Sequence, residues 1–422
     1  MKLALNFLPC KSFKKKLVAY FTLKFIIKGF MISILLSLFI FLDLLNLKYI
    51  ANLGLLSAII GLYILLKSDR KIWFWSGFFI GLFWFYWISF SLIYYNFGYL
   101  IPIEILGICL IYGSIFLAVS WLESIYIKAI FLLFASYVAP FGFDWLNFEL
   151  IFVDTLFKPT IYTLALVLIS IMIAIKFNIY FGISLLICFL AINYNYKTES
   201  KSLPFDISLI STNISQDKIW ERSTKDKIVK SNLDMIDQAI SDGSRIVVLP
   251  ESSFPLFLNH SEILLSVLKQ KSYQIAIVAG ALGANNNNKI YNSTYLFDKG
   301  EIKRLDKLIL VPFGEEIPLP NFIKNLINEI FFDSAVDYSH ANSVSDYEID
   351  GVKIRNAICY EATKDELFKD NPKFMIAISN NAWFSPSTQP NLQSKLLKLK
   401  AYKYKTTIYH SINGSPSQMI TP

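Results

Sequence analysis

Apolar residues run almost unbroken through the first 195 positions and then give way to short, spaced apolar runs. Seven early runs, near 29–47, 50–66, 72–94, 99–122, 125–141, 160–176 and 179–194, approach the roughly 20 helical residues that cross a hydrocarbon core. Residues 17–28 place Lys24 and Lys28 in an apolar stretch, the pattern of an interfacial helix. Beyond residue 200 the pattern predicts strands at 207–210, 246–249, 275–279, 294–297, 354–358 and 374–378, with helices at 222–241, 260–271 and 391–405. Strands apolar on both faces, alternating with helices, point to an α/β layered domain with buried sheets. The expected organisation is a membrane domain over 1–196 with about seven transmembrane helices, followed by a second domain over 200–422.

Composition excludes a single soluble globule: 54% of the 422 residues are hydrophobic and 17% charged, against roughly 25% charged in soluble domains. Residues 1–195 carry 14 Lys/Arg against 7 Asp/Glu, so nearly all of the net charge of +8 lies in the apolar half. A basic excess on the flanks of apolar runs marks membrane topology rather than a nucleic-acid surface. Lys11, Lys14, Lys15 and Lys16 precede the first span and Lys67, Arg70 and Lys71 follow the second, which assigns both places to the cytoplasm. Lys128 and Lys176 fall on the same side, and seven crossings put the second domain outside. No small-residue cleavage site follows the basic stretch, so no cleavable signal peptide is expected. Cys10, Cys109 and Cys188 lie in the apolar half without a paired spacing, which suggests neither a disulfide framework nor a zinc site. Cys359 is the single thiol of the polar half.

Three segments of that half carry candidate chemistry. Glu251 ends the apolar run 247–249, where partial desolvation beside Leu249 and Phe254 suits a general base; a surface turn acid is the plainer reading. Lys307 precedes the apolar 308–311 and is either a snorkelling surface group or a cation held for an oxyanion. Cys359 follows the run 354–358, at a strand end, where an unreactive buried cysteine would also fit.

Their order and surroundings decide between these readings. Pro250-Glu251-Ser252, Lys307 before Leu310-Val311-Pro312-Phe313-Gly314-Glu315, and Cys359-Tyr360-Glu361 resemble the nitrilase, or carbon–nitrogen hydrolase, superfamily. With the membrane spans, Asn213 to Gln216 through Trp220, and Ser379-Asn380-Asn381-Ala382-Trp383-Phe384, the sequence more closely resembles its apolipoprotein N-acyltransferase branch. That resemblance implies an α-β-β-α sandwich joined to a polytopic α-helical bundle. It implies that Glu251 deprotonates Cys359, that Lys307 stabilises the oxyanion, and that Glu315, Tyr360 and Glu361 support the site, with Trp220 on a substrate-facing loop. It also implies acyl transfer from a phospholipid donor, through a cysteine thioester, to the α-amino group of a diacylglyceryl apolipoprotein, without metal or cofactor. The enzyme would be a multi-pass, monomeric protein of the bacterial inner membrane with a periplasmic catalytic domain. Relatives of this kind continue past the position of Asn413-Gly414 into further strands and an eighth span, so a chain ending at Pro422 is expected to have a shortened C-terminal end, an incomplete sheet and no eighth span. Ser385-Pro386-Ser387 and Asn381 also depart from the glycine-led loop and aspartate usual there.

Two other readings use the same residues differently. A nitrilase-type amidase would give the acyl group of a small C–N substrate to water, and a membrane lipid-binding protein would keep the fold without the chemistry. Topology is directly testable: a cysteine introduced at Asn286 is expected to react with a membrane-impermeant maleimide while the inner membrane is intact. Labelling only after permeabilisation would invert the count of spans.

Overall fold

The computed structural model describes residues 20–45, 47, 50–177, 190–192, 201–287, 289–312, 314–316 and 338–422. The chain divides into two compact units, Met1–Pro140 with Asp144–Tyr194, and Phe141–Phe143 with Asn195–Pro422.

The first unit is helical: α1 Leu23–Leu44, α2 Ala51–Leu66, α3 Arg70–Phe85, α4 Ile101–Ser120, α5 Ile125–Leu133 and α6 Ile161–Phe177. By length and composition three helices among the described residues can cross a membrane, Leu23–Leu44, Arg70–Ile93 and Gly98–Ser120, with Ala51–Leu66 and Ile161–Phe177 as shorter apolar helices. Lipid offers no hydrophobic gain for bringing helices together, so close packing and internal polar contacts must do it. At Gly29 of α1 a Cβ would stand 2.4 Å from the Trp75 Cβ, so only glycine lets α1 approach α3 this closely. Next to that crossing the Ser33 hydroxyl donates to the Ser76 carbonyl (2.8 Å), and Trp84 Nε1 donates to Ser37 Oγ (3.0 Å). Lys128 Nζ donates to the Ser68 carbonyl (2.8 Å), which sets this lysine beside the basic 67–71 turn.

Two expectations for this half are corrected. Residues 23–28 are not a separate interfacial helix but the first turns of α1; Lys24 and Lys28 are exposed there, and their long stems let an apolar helix carry charge without breaking. The stretch 125–141 is helical only through α5, nine residues or about 13 Å, too short to span as a helix. Short 3-10 turns replace it at Ala135–Tyr137 and Pro140–Gly142, where Pro140 supplies no donor and Phe141 (φ 54°) and Gly142 (φ 92°) leave the helical region. Of the seventh expected span, 179–194, all but 190–192 lies outside the described residues, as do Cys10, Cys188 and the Lys11–Lys16 flank.

The second unit holds twelve strands among its described residues: β1 Ile207–Leu209, β2 Ser211–Thr212, β3 Ile246–Val248, β4 Phe254–Phe257, β5 Ala276–Ala284, β6 Ile290–Asp298, β7 Glu301–Asp306, β8 Asp346–Ile349, β9 Val352–Ile358, β10 Phe374–Asn380, β11 Thr407–Asn413 and β12 Gln418–Ile420. Its longer helices are α7 Arg222–Ser241, α8 Glu262–Lys271 and α9 Gln389–Tyr404. One sheet runs β1-β3-β5-β6-β7 with β4 beside β5; the other runs β12-β11-β10-β9-β8 with β2 beside β11. Strands β1, β3 and β5 are parallel, and so are β9, β10 and β11.

The sheets face each other through Ile246, Val248 and Val278 on one side and Ile354, Ile358, Ile376 and Ile378 on the other. The alternate residues Val247, Leu249 and Ile277 pack outward on Ile236 and Ala239 of α7 and Leu268 of α8. Met375, Ala377 and Ile408 pack outward on Leu397 and Ala401 of α9. Both strand faces are therefore buried, as the near-continuous apolar runs require, and the layers are helix, sheet, sheet, helix. Residues 407–413 form a strand where the apolar pattern predicts none: β11 is an interior strand, paired in parallel with β10 from Phe374↔Thr407 to Asn380↔Asn413 and antiparallel with β12. Its polar side chains hide it from a hydrophobicity pattern, yet they are bonded inside. Ser411 Oγ donates to the Ile210 (2.7 Å) and Val248 (3.0 Å) carbonyls, and His410 Nε2 pairs with Ser379 Oγ (2.7 Å).

Gly280 of β5 lies under the turn after β3. A Cβ there would meet Glu251 Cα at 2.6 Å, Ser252 N at 2.7 Å and the Pro250 carbonyl at 2.9 Å, all backbone atoms. Gly280→Ala is expected to destabilise this unit by about 1–3 kcal/mol, read as a lowered melting temperature; unchanged melting would refute the close approach.

Candidate active site

The site forms where strands of both sheets end. Glu251 follows β3, Cys359 follows β9, and Asn380 is the last residue of β10, so parallel strands deliver three groups to one edge. Lys307 follows β7, and its backbone N–H donates to the Asn292 carbonyl of β6 (2.9 Å).

Glu251 is buried, and its two oxygens are held from different sheets. Asn292 Nδ2 donates to Oε1 (2.7 Å), while the backbone N–H of Asn380 donates to Oε2 (2.8 Å). The Cys359 thiol acts on the same carboxylate and lowers its proton affinity. Lys307, with no solvent exposure, puts Nζ 2.7 Å from Glu315 Oε2 and 3.8 Å from Glu251 Oε1. Asn292 Nδ2 also donates to Glu315 Oε1 (2.8 Å), so one amide group bridges the two carboxylates. The second Glu315 oxygen further accepts from the Val311 N–H (2.8 Å). Glu315 is thereby the direct counter-ion of Lys307, and Glu251 stands further from the ammonium.

Cys359 has φ 55°, in the left-handed region, so the chain turns sharply as it leaves β9 and presents the thiol at the sheet edge. Glu361 locks that turn: one oxygen accepts from the Ile358 N–H (2.8 Å) and the other from the Leu308 (2.7 Å) and Ile309 (3.0 Å) N–H groups. The cysteine turn and the segment after Lys307 are thus pinned by one carboxylate. Tyr360 donates its hydroxyl to the Gly142 carbonyl (2.6 Å), which also accepts from Lys364 Nζ (2.9 Å); residues 141–143 belong to this unit. Trp220 follows a helical turn, Gln216–Ile219, and its ring is exposed rather than gathered into the buried network.

Burial governs the proton affinities. It raises the Glu251 carboxyl above its ordinary value, against the pull of Lys307, and the charge of Glu315 raises it further. Burial and the Glu251 charge push the Cys359 thiol up to about 12, opposed by Lys307 and the Asn380 N–H. For Lys307 burial alone would favour the neutral amine, but Glu315 and Glu251 more than offset it and the proton is held more tightly than usual. Burial raises Glu361 to about 7 against the pull of Lys307 and its three N–H donors. The resting arrangement therefore gathers a protonated thiol, an ionised lysine and a carboxyl group made more basic than normal.

Sequence reasoning passed over Asn292, although it lies between two flagged segments, because a neutral amide leaves no charge signature. Asn380 was visible only as part of a motif; its backbone N–H is what reaches the site. Among the described residues no cluster of His, Cys, Asp and Glu is arranged to hold a metal ion.

Comparison with known proteins places this geometry. Residues 23–194 match the apolipoprotein N-acyltransferase integral membrane domain, and residues 212–403 match the carbon-nitrogen hydrolase domain. The chain is 42% identical to the apolipoprotein N-acyltransferase of Wolinella succinogenes, over 92% of this chain and 94% of that one. It is 39% identical to that of Campylobacter jejuni, over 100% and 96%, and 37% identical to that of Helicobacter pylori, over 85% of each. With both domains matched in order and relatives aligned along almost their whole length, the chain belongs to the apolipoprotein N-acyltransferase family of membrane-integral enzymes.

Proposed function

We propose that the protein moves a fatty acyl group from a phospholipid to the α-amino group of the N-terminal diacylglyceryl-cysteine of apolipoproteins, with Cys359 as nucleophile, Glu251 as base and Lys307 as oxyanion partner. The observation that carries this reading is the burial of Glu251, Cys359 and Lys307 in one site, with the ammonium 3.8 Å from Glu251 and the thiol and carboxyl each shifting the other's proton affinity. The high proton affinity of the thiol means that a free thiolate does not accumulate, so proton transfer accompanies attack.

In the first half-reaction Glu251 takes the thiol proton as sulfur bonds to the ester carbonyl carbon. The carbonyl oxygen becomes an oxyanion, which the Lys307 ammonium stabilises in a site closed to water. Collapse breaks the C–O bond, Glu251 returns its proton to the departing lysophospholipid oxygen, and a thioester remains on Cys359. In the second, the acceptor amine attacks the thioester, Glu251 takes the amine proton, and the C–S bond breaks with return of the proton to sulfur. Glu315 keeps Lys307 charged, and Glu361 keeps the cysteine turn in place. The membrane half suits substrates that carry long acyl chains, and the basic 67–71 turn supports a cytoplasmic assignment for that end. The enzyme acts as a monomer in the inner membrane.

The three relatives matched along most of their length and the membrane domain favour this activity over hydrolysis of a small amide. Purified variants incubated with radiolabelled phospholipid are expected to differ in label on Cys359. Glu251→Gln and Lys307→Ala should each slow thioester formation about 10²–10³-fold, and the double variant should be scarcely worse than the worse single one. Wild-type charging by Glu251→Gln would sink the proposed role of that carboxylate. Acid should slow the same half-reaction, because a protonated Glu251 cannot accept the thiol proton. Since burial raises this group, the loss is expected to begin above the ordinary carboxylate range, and a pH profile flat down to that range would contradict it.

A further inference from the structure

Glu251 is tied to the outside of the catalytic unit by a chain of buried amides. Asn380 bonds the carboxylate through its backbone N–H (2.8 Å), and its side chain is clamped at both ends. Nδ2 donates to Gln216 Oε1 (2.7 Å), and Oδ1 accepts from Asn413 Nδ2 (2.8 Å) and from the Ala382 N–H (3.3 Å). Asn413 in turn accepts from Thr212 Oγ1 and the Ile214 N–H and donates to the Ile214 carbonyl, all at 2.8 Å. Gln216, Asn380 and Asn413 are each at most 3% exposed. Gln216 opens the short helical turn that ends at Trp220, whose indole is exposed.

A planar amide held at both ends leaves the backbone that carries it little freedom. Displacing the Gln216 turn must either strand a buried Asn380 donor, which is costly, or carry Asn380 along. Asn380 can move only by changing the N–H that holds Glu251. Resting on the acyl-transfer reading above, we propose that Gln216 is a positioning residue: it anchors Asn380, so that the turn bearing Trp220 and the proton-accepting carboxylate shift together. The exposed rim of the site thereby sets the orientation and basicity of its base, which also faces Lys307, Glu315 and Cys359.

The test uses the full-length protein in detergent and follows alkylation of Cys359 by iodoacetamide against pH, by peptide mass, alongside thermal melting. Gln216→Met keeps the side-chain volume and removes the acceptor, while Gln216→Ala guards against a misfit of the thioether. Either folded variant is expected to alkylate about 10-fold more slowly near neutrality, in the range seen for lost outer-shell partners. Its acid limb should move to higher pH, because a carboxylate that loses a firmly placed N–H donor holds its proton more tightly. Melting should fall modestly, because either variant strands the buried Asn380 donor, while the protein stays folded. A wild-type rate and profile overturns the proposal; so does lowered melting with an unmoved profile, and so does failure of both variants to fold, since each assigns Gln216 to stability alone. Glu251→Gln separates the two levels of the argument. If it alkylates like wild type, the role given to Glu251 fails; if it is slow while the Gln216 variants are normal, only the positioning role fails.

Discussion

A lysine ammonium without any exposure to water dictates the rest of the catalytic unit. Removing such a charge from solvent is expensive, and the protein recovers the loss only by placing carboxylates beside it. Glu315 does so at 2.7 Å and Glu251 at 3.8 Å, and these two must then be kept from repelling each other, which Asn292 does by giving one hydrogen to each. The buried set places two carboxyl groups around one ammonium, before Glu361 is considered. Creating a thiolate without moving its proton onto Glu251 would add a further negative charge to that set. Concerted proton transfer keeps the total constant, so the electrostatics and the chemistry require the same event.

Two sheets share the task of holding Glu251. The β6 side chain of Asn292 takes one oxygen and the end of β10 takes the other, while the cysteine arrives on β9. The layered core is what keeps these strand ends in register, since Val248, Ile358 and Ile378, each a few residues from the site, meet in one apolar cluster. Packing between the sheets and alignment of the reacting groups are one structural fact seen at two distances.

Much of this was legible in the sequence, and the failures have physical causes. Strands β3, β5 and β10 are apolar on both faces and announce themselves; Glu251 stands just past such a run, Cys359 follows the mixed strand β9, and Lys307 stands just before the apolar 308–311. Strand β11 was missed because Thr407, His410, Ser411 and Asn413 interrupt its apolarity, although each is buried. The stretch 125–141 misled for the opposite reason: apolarity continues through it, while Pro140 and the left-handed Phe141 and Gly142 end regular helix. Amides such as Asn292 and Gln216 carry no charge and no periodicity, so their importance appears only once their partners are in space. Trp220 matched a motif, yet its ring is exposed, and the residue that begins its turn is the one bonded to Asn380.

The left-handed backbone at Cys359 bears on which nucleophile can occupy that position at all. A β-branched side chain is poorly tolerated at φ 55°, so threonine is disfavoured on steric grounds before reactivity is considered, leaving serine and cysteine as the unbranched choices. Between those two, a buried carboxylate is a far better match for a thiol than for an alcohol, whose proton it could hardly remove. Sulfur at residue 359 is thus selected twice, once by the torsion of the chain and once by acidity, and a serine placed there would inherit a fitting backbone with a base too weak to use it.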